Sequence, residues 1–313
     1  MSGSQTATVQ ELWRFPVKSM RGEPIDTSEV TSAGLVGDRA YAVVDSETGK
    51  VGSAKHPRLW GDLLRCAARY VSPPRAGAPL PDVTISLPNG EETASSDRYV
   101  DQRLSDLLGR PVRLTTVAPD HNAYLAVWPD IDGVIPDDYL EQISVGESEP
   151  DGTLAELSLA MASDPGTFFD VAALHVLNAA TLRHLAEVQP GSRFEVQRYR
   201  PNIVIESSDP PFAENEWSGA TVRFGTALQT MVLLPTMRCI MTTLAQGDLP
   251  RDNEVLRTVS RHNRIELPGL GTWSCVGAYA AVAEPGTVHV GDEVTIDRST
   301  VDGPDGDPSD PAR

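Results

Sequence analysis

The chain has 313 residues, of which 40% are apolar, and a formal net charge of −18 at pH 7. Proteins that bind DNA or RNA neutralise phosphates with Lys and Arg, so this acidic chain is not expected to bind nucleic acid over a broad surface. The same charge disfavours an anionic membrane. Three cysteines without paired spacing predict no disulfide framework. No apolar run approaches the ~20 residues that span a bilayer. We expect a cytoplasmic protein with a small-molecule substrate.

The first part of the chain, residues 1–118, is predicted to form a small β module. A short helix begins near Asp101, taken as its N-cap, and stops at Gly109 before Pro111. The other segments alternate apolar and polar residues, which is typical of strands. The predicted strands are Val9–Phe15, Arg39–Val44, Val83–Leu87 and Val112–Val117.

The second part, residues 119–297, is predicted to form a further β domain, so the fold class is a β-rich α+β protein. Asn178 is the expected cap of a helix over Ala179–Val188. Acidic residues among glycines and prolines predict an exposed insertion at 129–152. A solvated loop is its default interpretation, and a docking surface is the alternative. Residues 298–313 are predicted to be a disordered acidic tail. Strands are predicted at Ile203–Ile205, Ala220–Phe224, Leu228–Leu234, Gly277–Val282 and Glu293–Ile296.

The segment around Cys239 carries the strongest chemical signal. An apolar strand is expected to end at Pro235, because proline interrupts a sheet, and this presents the next residues at the sheet rim. A neighbouring Arg238 would lower the pKa of the thiol, and a thiolate is a ligand for soft or high-valent metals. A buried structural cysteine is the alternative interpretation. Two hydroxyl residues follow in the same segment: Thr242 and Thr243.

Three other segments combine turn residues with groups that bind anions or amides. Lys18 and Ser19 follow a strand at a proline bend and suit a phosphate. Arg39 follows two glycines and offers a rigid fork for phosphate or carboxylate. Arg200 precedes a proline, and Asn202 supplies both a donor and an acceptor. The alternative interpretations are an ordinary surface lysine for Lys18, an ion pair with a carboxylate for Arg39 and a positively charged strand start for Arg200.

Taken in order, these segments resemble the MOSC family together with its N-terminal β-barrel module. The pattern is similar to the branch that includes mitochondrial amidoxime-reducing components and bacterial YcbX proteins, and it extends over about residues 9–297. The resemblance implies a small N-terminal β module packed on a MOSC β-barrel. The segments that carry it are Phe15–Ser19, Gly37–Arg39, Arg200–Ile205, Phe212–Trp217, Arg238–Thr243 and Pro285–Asp292.

The resemblance also implies a molybdenum cofactor site between the two parts of the chain. Cys239 would coordinate the metal, and Asp170 would be an acidic catalytic residue near it. The other implied cofactor-binding residues are Lys18, Ser19 and Arg39 for the phosphate, Arg200 and Asn202 for the pterin, and Arg238, Thr242 and Thr243. Ala172 stands where the family carries a hydroxyl residue.

The implied activity is two-electron reduction of N-hydroxylated or N-oxide compounds. No flavin, haem or iron–sulfur motif is expected on this chain, so a separate electron-donor protein of ferredoxin, cytochrome or flavoprotein type is predicted. Two alternatives stay open. The chain could carry sulfur as a persulfide on Cys239, or it could carry the molybdenum cofactor without catalysing a reaction.

Overall fold

The computed structural model describes residues 5–119, 123–146, 149–162 and 167–298. The elements of these residues are mostly short strands. The helices are α1 (Pro57–Trp60), α2 (Val100–Leu108), α3 (Asp137–Ile143), α4 (Ala179–Val188), α5 (Val196–Tyr199) and α6 (Glu254–His262), and three 3₁₀ turns cover Gly61–Arg65, Ala213–Glu216 and Ile240–Thr243. The strands are β1 (Gln5–Arg14), β2 (Glu23–Ile25), β3 (Thr27–Thr31), β4 (Gly34–Leu35), β5 (Ala42–Asp45), β6 (Ala67–Tyr70), β7 (Val83–Ser86), β8 (Glu92–Ala94), β9 (Val112–Thr115), β10 (Ala123–Trp128), β11 (Thr153–Ser158), β12 (Leu174–Asn178), β13 (Ile203–Ser207), β14 (Thr221–Phe224), β15 (Leu228–Met237), β16 (Arg264–Leu267), β17 (Gly271–Glu284), β18 (Gly286–His289) and β19 (Glu293–Asp297).

The largest sheet closes into a seven-stranded barrel in the order β12, β13, β1, β19, β14, β15 and β17, because β17 also pairs with β12. The β12–β13 pair is parallel, and its neighbours around the barrel are antiparallel. Alternate residues of these strands point inward and form one apolar core that includes Val9, Ile205, Phe224 and Val294. Since β1 lies between β13 and β19, the chain's first strand is part of this barrel. The division at residue 118 stays a prediction.

A second, smaller core lies in the N-terminal part of the chain. The β6–β7–β8 sheet, the β5–β9 pair and α2 enclose it. Its buried members include Val17, Met20, Trp60, Leu63 and Cys66. Together with the barrel this confirms a β-rich α+β fold in which an N-terminal β module packs on a larger barrel.

Two helix predictions have different outcomes at their first residues. The backbone N–H of Ala180 donates to the Asn178 side chain over 3.1 Å, which confirms the predicted cap of α4. The predicted cap at Asp101 is wrong, because α2 begins at Val100 and the Asp101 carboxylate accepts from the Leu114 N–H instead. No helix of the described residues is long and apolar enough to cross a bilayer.

The strand before Cys239 does not end at Pro235, contrary to expectation. Strand β15 continues to Met237, and its pairing register with β17 shifts between Pro235 and Met237. A bulge of this kind tolerates proline because the residue there does not need to donate a backbone hydrogen bond to the neighbouring strand. Cys239 therefore lies two residues beyond the strand.

The acidic insertion at 129–152 contains a helix and buried apolar residues as well as exposed acids. It connects the antiparallel strands β10 and β11 and contains α3. Val134 and Ile135 are buried in a cluster with Trp273 and Cys275. Apolar packing fixes the base of the insertion, while the acidic residues of α3 remain exposed. Residues 147–148 of the insertion and 299–313 of the predicted tail lie outside the described residues.

Candidate active site

One cavity at the junction of the N-terminal segments and the barrel collects nine of the ten predicted site residues. These nine are Lys18, Ser19, Arg39, Asp170, Arg200, Asn202, Arg238, Cys239 and Thr242. The tenth, Thr243, is fully buried, and its hydroxyl donates to the Ile240 carbonyl over 2.7 Å. The geometry therefore brings the sequence-predicted set together with that one exception. The roles assigned to the residues stay predictions.

Three of these residues have left-handed backbone conformations that are unusual outside glycine. The φ angles are 66° at Ser19, 47° at Arg39 and 56° at Arg200. Such a conformation costs about 1–2 kcal/mol for an L-residue. Strained backbone of this kind concentrates at functional sites, where the surrounding structure holds it in place. The strain here lies at the three places where the chain turns a polar residue toward the cavity.

Asp170 is held between two lysines. Its Oδ1 accepts from Lys18 Nζ, and its Oδ2 lies 3.0 Å from Lys55 Nζ. Burial raises the pKa of Asp170, but the charges of the two lysines outweigh burial and hold that pKa well below its usual range. Burial lowers the pKa of Lys18 to about 8 against the opposing effect of Asp170. Burial also acts against the charge of Lys55, yet Asp170 and other neighbours raise the pKa of Lys55 well above its ordinary value.

Two guanidinium groups lie over the Phe15 ring. The Cζ of Arg39 lies 4.5 Å and that of Arg200 lies 4.2 Å from the ring centroid. Arg39 also pairs with Asp38 and donates to the Arg200 carbonyl over 3.1 Å. Burial, followed by repulsion from Arg39, lowers the pKa of Arg200 to about 9. The ring attracts both guanidinium groups through cation–π contacts, and an anion in the cavity would relieve the repulsion between the two like charges.

Asn202 lines the cavity, but its side-chain amide is bonded within the protein. Its Nδ2 donates to Asp38 over 2.8 Å, and its Oδ1 accepts from the backbone N–H of His175 over 3.1 Å. Asp38 in turn accepts from the backbone N–H of Phe15. The predicted contact between Asn202 and a pterin stays a prediction. These hydrogen bonds give Asn202 a supporting role toward the residues beside it.

Arg238 is likewise bonded to buried protein groups. Its guanidinium donates to the Tyr199 carbonyl over 3.0 Å and to the Val276 carbonyl over 2.6 Å, and it lies 2.8 Å from His175 Nε2. Arginine is only a donor, so His175 Nε2 must accept and the ring is neutral. Burial, reinforced by Arg238, holds the pKa of His175 well below its usual range. Arg238 thus anchors the backbone immediately before Cys239 to β17.

Cys239 differs from the other two cysteines of the chain. Its side chain is partly exposed and lines the cavity, whereas Cys66 and Cys275 are fully buried in separate cores. Burial raises the pKa of each buried thiol to about 12. The carbonyl of Cys239 accepts from both the N–H and the hydroxyl of Thr242, which fixes the turn that presents the thiol.

Sequence reasoning missed several residues of the cavity. Arg198 is buried and donates to carbonyls of neighbouring loops. The cavity also has two buried hydroxyls, Tyr199 Oη and Thr236 Oγ1, with no partner among the described residues. Lys55 and Tyr279 come from distant segments. The only local signal for Lys55 is its position in a turn before a proline, which is too common to single it out.

These observations define a two-module β-barrel protein with a cationic small-molecule site that contains one accessible thiol. Two family models match the chain: the MOSC N-terminal beta barrel domain over residues 6–71, and the MOSC domain over residues 164–295. The chain belongs to the MOSC domain family.

The individual relatives have low sequence identity to this chain. Mitochondrial amidoxime-reducing component 1 of Homo sapiens is 26% identical, and the match covers 93% of this chain and 83% of the relative. Molybdenum cofactor sulfurase of Danio rerio is 24% identical over 82% of this chain but only 30% of its own length. The solved structure of the YuaD protein from Bacillus subtilis covers 95% of this chain with a TM-score of 0.44 and 11% identity.

Proposed function

We propose that the cavity binds the molybdenum cofactor and that the chain reduces N-hydroxylated or N-oxide compounds by two electrons. The observation that carries the proposal is the accessible thiol of Cys239 in a cavity lined by six Lys and Arg residues and one carboxylate, within a chain of net charge −18. The names of the amidoxime-reducing relatives support the reaction class.

The lining of the cavity fits such a group. A molybdopterin carries a phosphate, a polar bicyclic ring and a metal bound through sulfur. The strained cationic segments at Lys18, Arg39 and Arg200 suit the phosphate and ring. The two unpartnered hydroxyls suit polar ring atoms, because buried polar groups are otherwise hydrogen-bonded. A single thiol suits a metal whose remaining ligands come from the cofactor.

When bound, the cofactor would supply the two-electron redox chemistry, and this chain would position it and the substrate. The N–O bond of the substrate breaks, two electrons and two protons are taken up, and water is released. Cys239 would hold the metal, and Arg238 would keep the Cys239 turn in place. Asp170 would keep Lys18 and Lys55 charged and oriented, because its carboxylate opposes the burial that favours their neutral forms.

Metal content together with a reductase assay tests the proposal. The full chain is produced in a molybdenum-replete host, and bound molybdenum and reduction of benzamidoxime with a chemical reductant are measured. Bound metal with turnover supports the reductase. A persulfide on Cys239 without metal supports sulfur transfer, which the sulfurase relative keeps as the second candidate. Bound metal without turnover supports a carrier and contradicts the proposed reaction.

Lys18 and Arg39 are predicted to hold the phosphate of the cofactor. A charged hydrogen bond contributes about 1.5–3 kcal/mol, so losing one weakens binding by about ten- to a hundredfold. Lys18→Ala and Arg39→Ala proteins should therefore purify with less pterin than the wild type, measured by fluorescence after oxidation. Lys50→Ala is the control, because Lys50 pairs with Glu156 outside the cavity. Wild-type pterin content in the double variant would contradict this assignment.

The electrons are proposed to come from a separate protein that docks on the acidic insertion. Asp137, Asp138 and Glu141 are exposed on α3. A second cavity, lined by Asp137 and other insertion residues, reaches Ile240, which directly follows Cys239. The insertion is therefore close to the proposed metal ligand, and its charge would attract a basic donor.

Neutralising the three acids of α3 separates docking from simple solvation. Docking predicts a higher apparent KM for the donor protein in the triple variant at low salt. The difference should fade as the Debye length shortens from ~10 Å at 0.1 M to ~3 Å at 1 M. Turnover with a chemical reductant should not change. The matched control neutralises three exposed acids elsewhere: Glu47, Asp106 and Glu187. Unchanged donor kinetics at low salt would reject docking and leave solvation as the role of the charges.

A further inference from the structure

Lys55 is a largely buried cation that lines the cavity beside Asp170. It lies in the turn before α1, and the N–H of its neighbour Ala54 donates to the Ser19 hydroxyl over 3.0 Å. The carbonyl of Lys55 accepts from the Val127 N–H over 2.7 Å. Its side chain is 13% exposed. The turn is therefore tied to the N-terminal module on one side and to β10 on the other, and the ammonium group is directed toward Asp170.

The contacts of the two lysines leave each with a donor for a ligand. Lys55 Nζ lies 3.0 Å from Asp170 Oδ2 and donates to the Tyr124 hydroxyl over 3.0 Å. Lys18 Nζ donates to Asp170 Oδ1 and to the Phe168 carbonyl over 2.9 Å. An ammonium has three N–H donors, and partners account for two on each lysine. The two ammonium groups bind opposite oxygens of the same carboxylate, and both lie over the Tyr124 ring, 5.2 Å and 5.0 Å from its centroid, so they are neighbours in the cavity lining.

The carboxylate of Asp170 does not neutralise both Lys18 and Lys55. Two ammonium groups face one carboxylate, which leaves an excess of one positive charge in a buried place. Among the other cations of the cavity, Arg39 pairs with Asp38, while Arg198, Arg200 and Arg238 donate to backbone carbonyls. The lysine pair therefore combines an excess positive charge with spare donors around one shared carboxylate.

We propose that Lys55 and Lys18 together bind one phosphate-type oxyanion of the ligand, and that Asp170 is a positioning residue that also competes with this anion. Lys55 is then a binding residue of the site. The proposal rests on the proposed function only for the source of the anion, which is the phosphate of the cofactor. A free phosphate or an anionic substrate offers the same chemistry, and the experiment separates these sources.

Because Asp170 competes with the anion, replacing Asp170 should change the anion affinity in the opposite direction to replacing Lys55. Lys55→Met keeps the aliphatic stem but removes one charged donor, which weakens anion binding by about tenfold or more. Asp170→Asn keeps the shape but removes the negative charge next to the anion. In a titration at about pH 6, where protonation of both lysines is favoured even without the carboxylate, anion binding becomes tighter by a similar factor. A residue that only maintained the fold would not change affinity in this direction.

The test uses the full chain produced in a host that lacks the cofactor, titrated with inorganic phosphate by calorimetry at about pH 6, which favours the charged form of the lysines. The proposal expects weaker phosphate binding for Lys55→Met, tighter binding for Asp170→Asn, and no change for the surface variant Lys50→Met. Circular dichroism checks the fold, and Lys55→Gln replaces Lys55→Met if that variant does not fold. Absence of phosphate binding by the wild type, wild-type affinity in the Lys55 variant, or weaker binding by Asp170→Asn overturns the proposal.

Pterin content after production in a cofactor-competent host identifies the source of the anion. Reduced pterin in Lys55→Met assigns the position to the phosphate of the cofactor. Wild-type pterin together with weakened phosphate binding keeps Lys55 as an anion-binding residue and assigns the position to a substrate or free phosphate. Lys55-dependent phosphate binding in a wild-type protein that never acquires molybdenum would contradict the proposed function while supporting the role of Lys55.

Discussion

Cys239→Ser is expected to reduce turnover by more than about a hundredfold while the free energy of unfolding stays close to that of the wild type. Cys239 is partly exposed in the cavity and packs only at the margin of two buried apolar clusters, and serine nearly preserves its size. A serine hydroxyl is a harder and less acidic ligand than a thiolate, so it would not replace sulfur on molybdenum. Even supporting residues around a metal typically contribute 10–100-fold in affinity or activity. Turnover with a chemical reductant, bound molybdenum and urea unfolding measure the three quantities.

The other two cysteines provide matched controls for this change. Cys66 and Cys275 are fully buried, so a serine there places a poorly paired hydroxyl in an apolar core at a cost of about 1–3 kcal/mol. Both variants should unfold at lower urea concentration and retain turnover per molecule of bound metal. Full reductase activity in Cys239→Ser, with the controls behaving as described, would show that the ligand assignment is wrong.

The sequence predicts those site residues that lie in short segments rich in polar side chains and turn residues. Lys18, Arg39 and Cys239 each lie beside a turn or strand end, and the structure brings all three to one cavity. Turn residues and unusual polar neighbours are local features, so a sequence displays them directly. The apolar alternation of the strands is local too, and the predicted β-rich fold follows from it.

The remaining features depend on distant parts of the chain and leave little trace in any one segment. Lys55 becomes a site residue only because Asp170, more than a hundred positions later, folds against it. Strand β1 closes the barrel by pairing with β13 and β19, although it belongs to the predicted N-terminal module. The continuation of β15 past Pro235 requires a bulge against β17. Tertiary packing determines all three features, so no single segment of the sequence predicts them.

Gly277→Ala is expected to destabilise the fold and to disturb the site. Gly277 has φ +80°, and a Cβ there would lie 2.3 Å from His175 Nε2 and 2.8 Å from the Val176 carbonyl. The left-handed backbone alone costs about 1–2 kcal/mol with a side chain, and forcing atoms apart in a packed core adds about 1–3 kcal/mol. The free energy of unfolding should therefore fall by about 2–5 kcal/mol, measured by urea denaturation.

Gly269→Ala separates the two contributions. Gly269 has φ +75°, and a Cβ there would meet nothing within 4 Å. The free energy of unfolding of Gly269→Ala should therefore fall only by the backbone contribution of about 1–2 kcal/mol. The excess loss in Gly277→Ala reports the clash with His175, whose ring accepts from Arg238 where β12 and β17 close the barrel. A displaced ring leaves the Arg238 donor unpaired beside Cys239, so pterin retention should also fall in Gly277→Ala but not in Gly269→Ala. Equal unfolding free energies and equal pterin contents in the two variants would mean that the His175–Arg238 contact does not couple the barrel seam to the site.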